Sequence, residues 1–165
     1  MIELKPYDAA FDDALIRFIA AFFAAHHTNL TPSACREILL DWAGGADDDC
    51  RLSVIVQDGD AAGFVRTRRT SPTVCWIDDI FVDAPRRGRG VATEAIRLTE
   101  RALRADGVVS VCMDVVPDNI PALRLYHRLG YDRLSMITVR KDFEAFDTER
   151  IETIAGFPLR VRRFD

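Results

Sequence analysis

Apolar positions recur along this chain with two periods, and the change from one to the other outlines the fold. Phe11, Leu15, Phe18, Ile19, Phe22 and Phe23 return at three- and four-residue steps. One broad apolar face results, which predicts a helix from about Ala9 to Ala25 after a short first strand at Met1 to Leu4. Thr31 followed by Pro32 reads as a cap and first position of a second helix, with Ile38, Leu39 and Trp42 on its apolar side and Gly44-Gly45 at its end. The acidic run Asp47-Asp48-Asp49 reads as a solvated loop. The period then drops to two. Arg51 to Gln57, Ala61 to Arg69 and Thr73 to Val82 read as strands, with Asp58-Gly59 and Ser71-Pro72 as the turns between them.

Downstream, strands and helices alternate. Gly90 to Ala105 predicts a helix with Glu94, Arg97, Arg101 and Arg104 outward, and with Val91, Ala95, Ile96, Leu98, Ala102 and Leu103 inward. Asp106-Gly107 ends it. Val108 to Val116 is almost wholly apolar and β-branched, the pattern of a strand covered on both faces. Asn119 caps a short helix that Gly130 ends, and Tyr131 to Lys141 predicts a long last strand. The tail contains Phe157-Pro158-Leu159-Arg160-Val161, which suits an edge strand, a cover for the core or a contact with a second subunit. The order predicts an α/β (α+β) fold with a sheet of mixed direction.

Bulk properties narrow the function classes. The chain has 165 residues, enough for one domain with a proper core, and 48% hydrophobic and 29% charged residues. A net charge of -4 gives no electrostatic reason to expect nucleic acid as a partner. The start MIELKPYDAA is unlike a signal peptide, and no apolar run has the length of a membrane helix. The four cysteines, Cys35, Cys50, Cys75 and Cys112, form no C-x-x-C pair and have no histidine at zinc-ligand spacing, so no metal is expected. Cys75 and Cys112 read as small buried hydrophobes. A cytoplasmic protein without a membrane partner is the expectation.

The informative stretch runs Ile80-Phe81-Val82-Asp83-Ala84-Pro85-Arg86-Arg87-Gly88-Arg89-Gly90-Val91-Ala92. A strand enters a Gly- and Arg-rich bend that opens a helix. Main-chain N–H groups at a helix start have no partner inside the helix and carry the positive end of its dipole. Glycine lets several of them converge, so the bend suits an anion of pyrophosphate size, with Arg86, Arg87 and Arg89 adding charge. A P-loop would need Gly-Lys followed by Ser or Thr. A dinucleotide fingerprint would need a third glycine where Thr93 stands.

Arg87-Gly88-Arg89-Gly90-Val91-Ala92 does fit the pattern R/Q-x-x-G-x-G/A, and here the chain resembles the acyl-CoA loop of the GNAT superfamily of N-acetyltransferases. A second match, Asn119-x-x-Ala122-x-x-x-Tyr126-x-x-x-Gly130-Tyr131, is similar to that family's N-x-x-A-x-x-x-Y-x-x-x-G-F/Y helix. With the element order, the resemblance covers Ile2 to Lys141, and the domain is expected over 1–143 with an extension over 144–165. It implies a largely antiparallel mixed sheet with splayed central parallel strands and helices on both faces. It implies acetyl-CoA as cosubstrate, its pyrophosphate on the N–H groups of Arg87, Gly88, Arg89, Gly90, Val91 and Ala92. The pantetheine arm is expected along the backbone of Ile80 and Val82, with Asn119 also on the cofactor side. The Ile80 or Phe81 N–H is the expected oxyanion donor.

The chemistry such a family performs needs a neutral amine, because a lysine-type amine has a pKa near ~10.4. Tyr126 is the candidate acid for the leaving sulfur. Asp78 is the candidate base, with Asp79 or ordered water as alternatives. Adjacent residues of a strand face opposite sides, so only one of the two carboxylates is expected to reach the cleft. His26, His27, Trp42 and Trp76 carry less weight. The resemblance implies an N-acetyltransferase for a primary amine of a small molecule. A protein lysine or N-terminal acetyltransferase, and a non-catalytic acyl-CoA-binding regulator, remain alternatives. A homodimer through the tail or a sheet edge is the expected assembly.

Overall fold

The computed structural model describes residues 1–44, 49–141, 143 and 149–162. Gly45, Asp47 and Asp48 of the expected helix end and acidic loop lie outside the described residues. By compactness the chain divides into two units, Met1–Asp114 and Val115–Asp165.

The first unit opens with β1 (Ile2–Pro6), a single 3-10 turn at Ala9–Phe11, and helices α1 (Asp12–Ala24) and α2 (Pro32–Ala43). Thr31 caps α2 as its sequence predicts, its hydroxyl accepting the Ala34 N–H at 3.2 Å. Then come β2 (Cys50–Gln57), β3 (Asp60–Ser71) and β4 (Val74–Val82), a second 3-10 turn at Ala84–Arg86, helix α3 (Val91–Ala105) and β5 (Ser110–Met113). The five strands form one sheet in the order β1-β2-β3-β4-β5, antiparallel except for the parallel β4–β5 pair. Asp58 and Gly59 both take positive φ, 53° and 93°, which turns β2 into β3 in two residues.

The core lies mainly on one face of the sheet. Leu15, Phe18 and Ile19 of α1 and Cys35 and Leu39 of α2 pack on Leu52, Val54, Val56, Phe64 and Phe81. Helix α3 covers the other face, where Leu103 and Val108 meet Cys75. Within α3, Val91, Ala95, Ile96 and Leu103 are buried as predicted, together with Thr99, whereas Leu98 is half-buried and Ala102 exposed. Gly63 has a special place. A Cβ on it would lie 2.0 Å from the Phe81 carbonyl oxygen, so only glycine lets β3 approach β4 there.

β5 corrects the sequence expectation. Only Ser110–Met113 pairs with β4, and Val109 is 78% exposed, so the 108–116 run is not covered on both faces. Cys112 is half-buried rather than buried. Its pairing stops at Ile77↔Met113, while β4 runs on to Val82. Past Ile77 the edge of β4 is left without a β5 neighbour, and this is the splay that the family resemblance implies.

The second unit contains α4 (Ile120–Arg128) and a hairpin of β6 (Glu149–Ile154) and β7 (Phe157–Arg162). The hairpin is held to the turn before α4 by Arg150, which pairs with Asp118 at 2.6 Å. The long strand expected over 131–141 is not formed. These residues follow no strand ladder, and Leu134 and Val139 are more than two-thirds exposed. Period-two alternation marks a segment able to pair but does not name its neighbour, and the only ladder in this unit among the described residues is the β6–β7 one. Among the described residues no helix is long and apolar enough to cross a membrane.

Candidate active site

The bend between β4 and α3 is built on two glycines. Gly88 and Gly90 sit at φ 71° and 78°, a region that costs an L side chain roughly 1–2 kcal/mol, so the backbone itself requires them. A Cβ added to either would meet nothing within 4 Å, so the space beside both is open. The first helical bond runs from the Glu94 N–H to the Gly90 carbonyl at 3.0 Å. The N–H groups of Gly88, Arg89, Gly90, Val91, Ala92 and Thr93 have no main-chain acceptor among the described residues. An open bend with unspent donors at the positive end of a 15-residue helix fits an anionic group.

The three arginines divide the work. Arg86 is turned back, its guanidinium 3.0 Å from the Asp60 carboxylate and 3.5 Å from Gln57 Oε1. Arg87 also folds onto the strand: its Nε donates to the Val82 carbonyl at 2.8 Å, and the guanidinium lies 5.3 Å from the centre of the Phe81 ring. Arg89 is exposed and has no side-chain partner among the described residues. Arg86 and Arg87 therefore brace the bend, and the Arg89 side chain makes no such contact among the described residues.

The carboxylates are arranged differently from the expectation for plain strand neighbours. Arg66 pairs with Asp79 while Thr67 pairs with Ile77, so Asp78 is the extra residue of a β-bulge. The bulge brings both carboxylates to one arginine, Arg66. Asp79 accepts from Arg66 Nε at 2.6 Å, and Asp78 lies 3.6 Å from the same guanidinium. Asp78 also takes both arms of Arg68, at 2.8 and 3.0 Å. Arg66 in turn lies over Trp42 of α2, 5.0 Å from the ring centre. The opposite-faces reading of Asp78 and Asp79 is therefore overturned; the bulge is the physical reason. Arg66 and Arg68 escaped the sequence reading, although two arginines spaced i, i+2 before a strand with adjacent aspartates are a signal of cross-strand pairing.

The remaining positions are plain. Ile80, Phe81 and Val82 lie on the splayed end of β4, Phe81 and Val82 buried and Ile80 half-buried. The Val82 carbonyl is already occupied by Arg87. Asn119 caps α4, its Oδ1 accepting the Ala122 N–H at 3.2 Å. Tyr126 is half-buried in the second unit, its ring 6.2 Å from that of Tyr131 in an edge contact. Burial pushes its phenol above the ordinary value of 10.0, so it keeps its proton well past neutrality. His26 is a helix-end residue whose Nδ1 donates to the Phe22 carbonyl at 2.8 Å.

Known proteins resemble this chain in sequence and in fold. The family model described as Acetyltransferase (GNAT) family matches residues 12–131. Streptothricin acetyltransferase of Streptomyces lavendulae is 33% identical over 97 residues, 55% of this chain and 49% of that protein. Aminoglycoside N(6')-acetyltransferase type 1 of Serratia marcescens is 31% identical over 96 residues, 58% of this chain and 46% of that protein. The chain thus spans about half the length of these relatives. Among solved structures, AAC(6')-Iy in complex with a bisubstrate analogue, CoA-S-monomethyl-acetylneamine, superposes with a TM-score of 0.68 at 19% identity, over 86% of this chain and 99% of that one. At that identity the likeness speaks for the fold.

Proposed function

The chain belongs to the acetyltransferase (GNAT) family, and from that premise we propose that it transfers an acetyl group from acetyl-CoA to a primary amine of a small molecule. The observation that carries the proposal is the bend at 88–93, with open space beside its glycines and six main-chain N–H groups that have no main-chain acceptor among the described residues. Those donors and Arg89 hold the diphosphate of the cosubstrate. The pantetheine arm lies along the β4 edge that β5 leaves at Ile77, where its amides take the place of a missing strand. Asn119 is proposed as a further cofactor contact.

In this reading Asp78 takes a proton from the acceptor ammonium. The freed amine nitrogen attacks the thioester carbonyl, and the oxyanion that forms is met by a main-chain N–H of Ile80 or Phe81. The carbon–sulfur bond then breaks, Tyr126 gives its proton to the departing CoA sulfur, and the second proton lost by the amine nitrogen returns to the Tyr126 phenolate, while Asp78 releases its own to solvent. The products are an acetamide and free CoA. The small-molecule acceptor is supported by the named activities of the relatives, which act on streptothricin and aminoglycosides. A homodimer belongs to the same proposal, supported by the exposed Ile151 and Phe157 of the tail hairpin.

The test is a thiol-release assay with acetyl-CoA and a panel of acceptors. Release with small polyamines or aminosugars supports the proposal. Release only with peptides would move the acceptor to a protein, and acetyl-CoA binding without release from any amine would make the domain a ligand-binding regulator.

A further inference from the structure

The Asp78 bulge lies where β5 has just left β4, at the start of the splayed stretch. A simple surface ion pair needs no extra residue in the strand. Here the insertion delivers a carboxylate only 12% exposed into the fork of Arg68, and sets a second carboxylate and a second arginine beside it. We propose that Arg68 is a positioning residue for acetyl transfer, which acts through Asp78 by fixing its carboxylate in a two-point ion pair. The proposal rests on the reading of Asp78 as the base.

The physical case is geometric. A planar fork that binds both carboxylate oxygens leaves the side chain one orientation, which a lysine at the same place would not impose. The cluster is braced from β3 and α2, because Arg66 stands 3.6 Å from Asp78 and is itself held by Asp79 and by Trp42 of α2. Arg68 is held more firmly charged, first by Asp78 and more weakly by Cys50 of β2 and by Asp114 just beyond β5.

The experiment compares Asp78→Asn, Arg68→Gln and Arg68→Lys with the parent, reading kcat and the amine KM by thiol release, the Kd for acetyl-CoA and the melting temperature. Asp78→Asn is expected to lose about a hundredfold or more in kcat with the acetyl-CoA Kd unchanged. Arg68→Gln is expected to lower kcat about tenfold with the amine KM and the acetyl-CoA Kd unchanged. Arg68→Lys keeps the charge without the fork, so its kcat should stay low, again with KM unchanged. If Arg68→Gln does not fold, this kcat-against-KM split in the lysine variant carries the test. An inactive Asp78→Asn beside arginine variants with the parent's kcat would make Arg68 a structural partner only. An active Asp78→Asn would remove the base assignment, and the proposal with it.

Discussion

Tyr126 is the residue on which the proposed leaving-group chemistry turns. Phenylalanine in its place should lower kcat by about a hundredfold and leave acetyl-CoA affinity within about twofold, because only the proton donor is lost. The pH behaviour has a definite sign. An acid must be protonated to act, and burial raises this phenol above 10.0, so its alkaline limb should lie above that pH. A limb near neutrality would take Tyr126 out of the role. The arginines of the bend offer a second contrast. Arg89→Ala should weaken acetyl-CoA binding by about tenfold at an unchanged melting temperature. Arg86→Ala should lower the melting temperature, because it loses Asp60 and Gln57, with little effect on affinity; calorimetry and thermal melts separate the two. The sequence shows three arginines of equal standing. Their different duties come from Asp60, Gln57 and the Val82 carbonyl, and those neighbours exist only once β2, β3 and β4 are paired.

Strands and helices with strong local patterns were legible in the chain; those defined by their partners were not. The Thr31-Pro32 start of α2, the Asp58-Gly59 hairpin and the buried stripe of α3 follow from residues within a turn or two of each other. The bulge at Asp78 does not, since it arises from how β3 registers on β4. The 131–141 segment alternates well yet has no ladder among the described residues, because alternation marks a segment able to pair without naming its neighbour. The β3–β4 pairing itself can be tested through Gly63. A methyl group there would be forced against the Phe81 carbonyl, so Gly63→Ala should destabilise the protein by about 2–3 kcal/mol and thin the soluble fraction, as read by denaturant unfolding. Unfolding at the parent midpoint would contradict the close approach.

On the scale of the whole molecule, the mixed sheet with its parallel β4–β5 pair and helices on both faces agrees with the family to which the chain belongs. The glycine bend was readable because positive-φ glycines and helix-start N–H groups recur at fixed spacing. The acceptor makes no such fixed demand, so no motif names it. The proposed homodimer is tested by light scattering: the parent should show twice the chain mass, and Ile151→Glu with Phe157→Glu should return it to one, whereas a parent of single mass would exclude that assembly. The central claim is that the bend at 88–93 gathers main-chain donors around the diphosphate of acetyl-CoA, the Arg87 N–H being held by the Ala84 carbonyl at 3.2 Å. Titration calorimetry of acetyl-CoA into the parent and into Gly90→Asp tests it most directly. The parent should bind and the variant, still folded by its melting curve, should give no heat, because a carboxylate would stand where the phosphates belong. Equal affinity in the two proteins would contradict it.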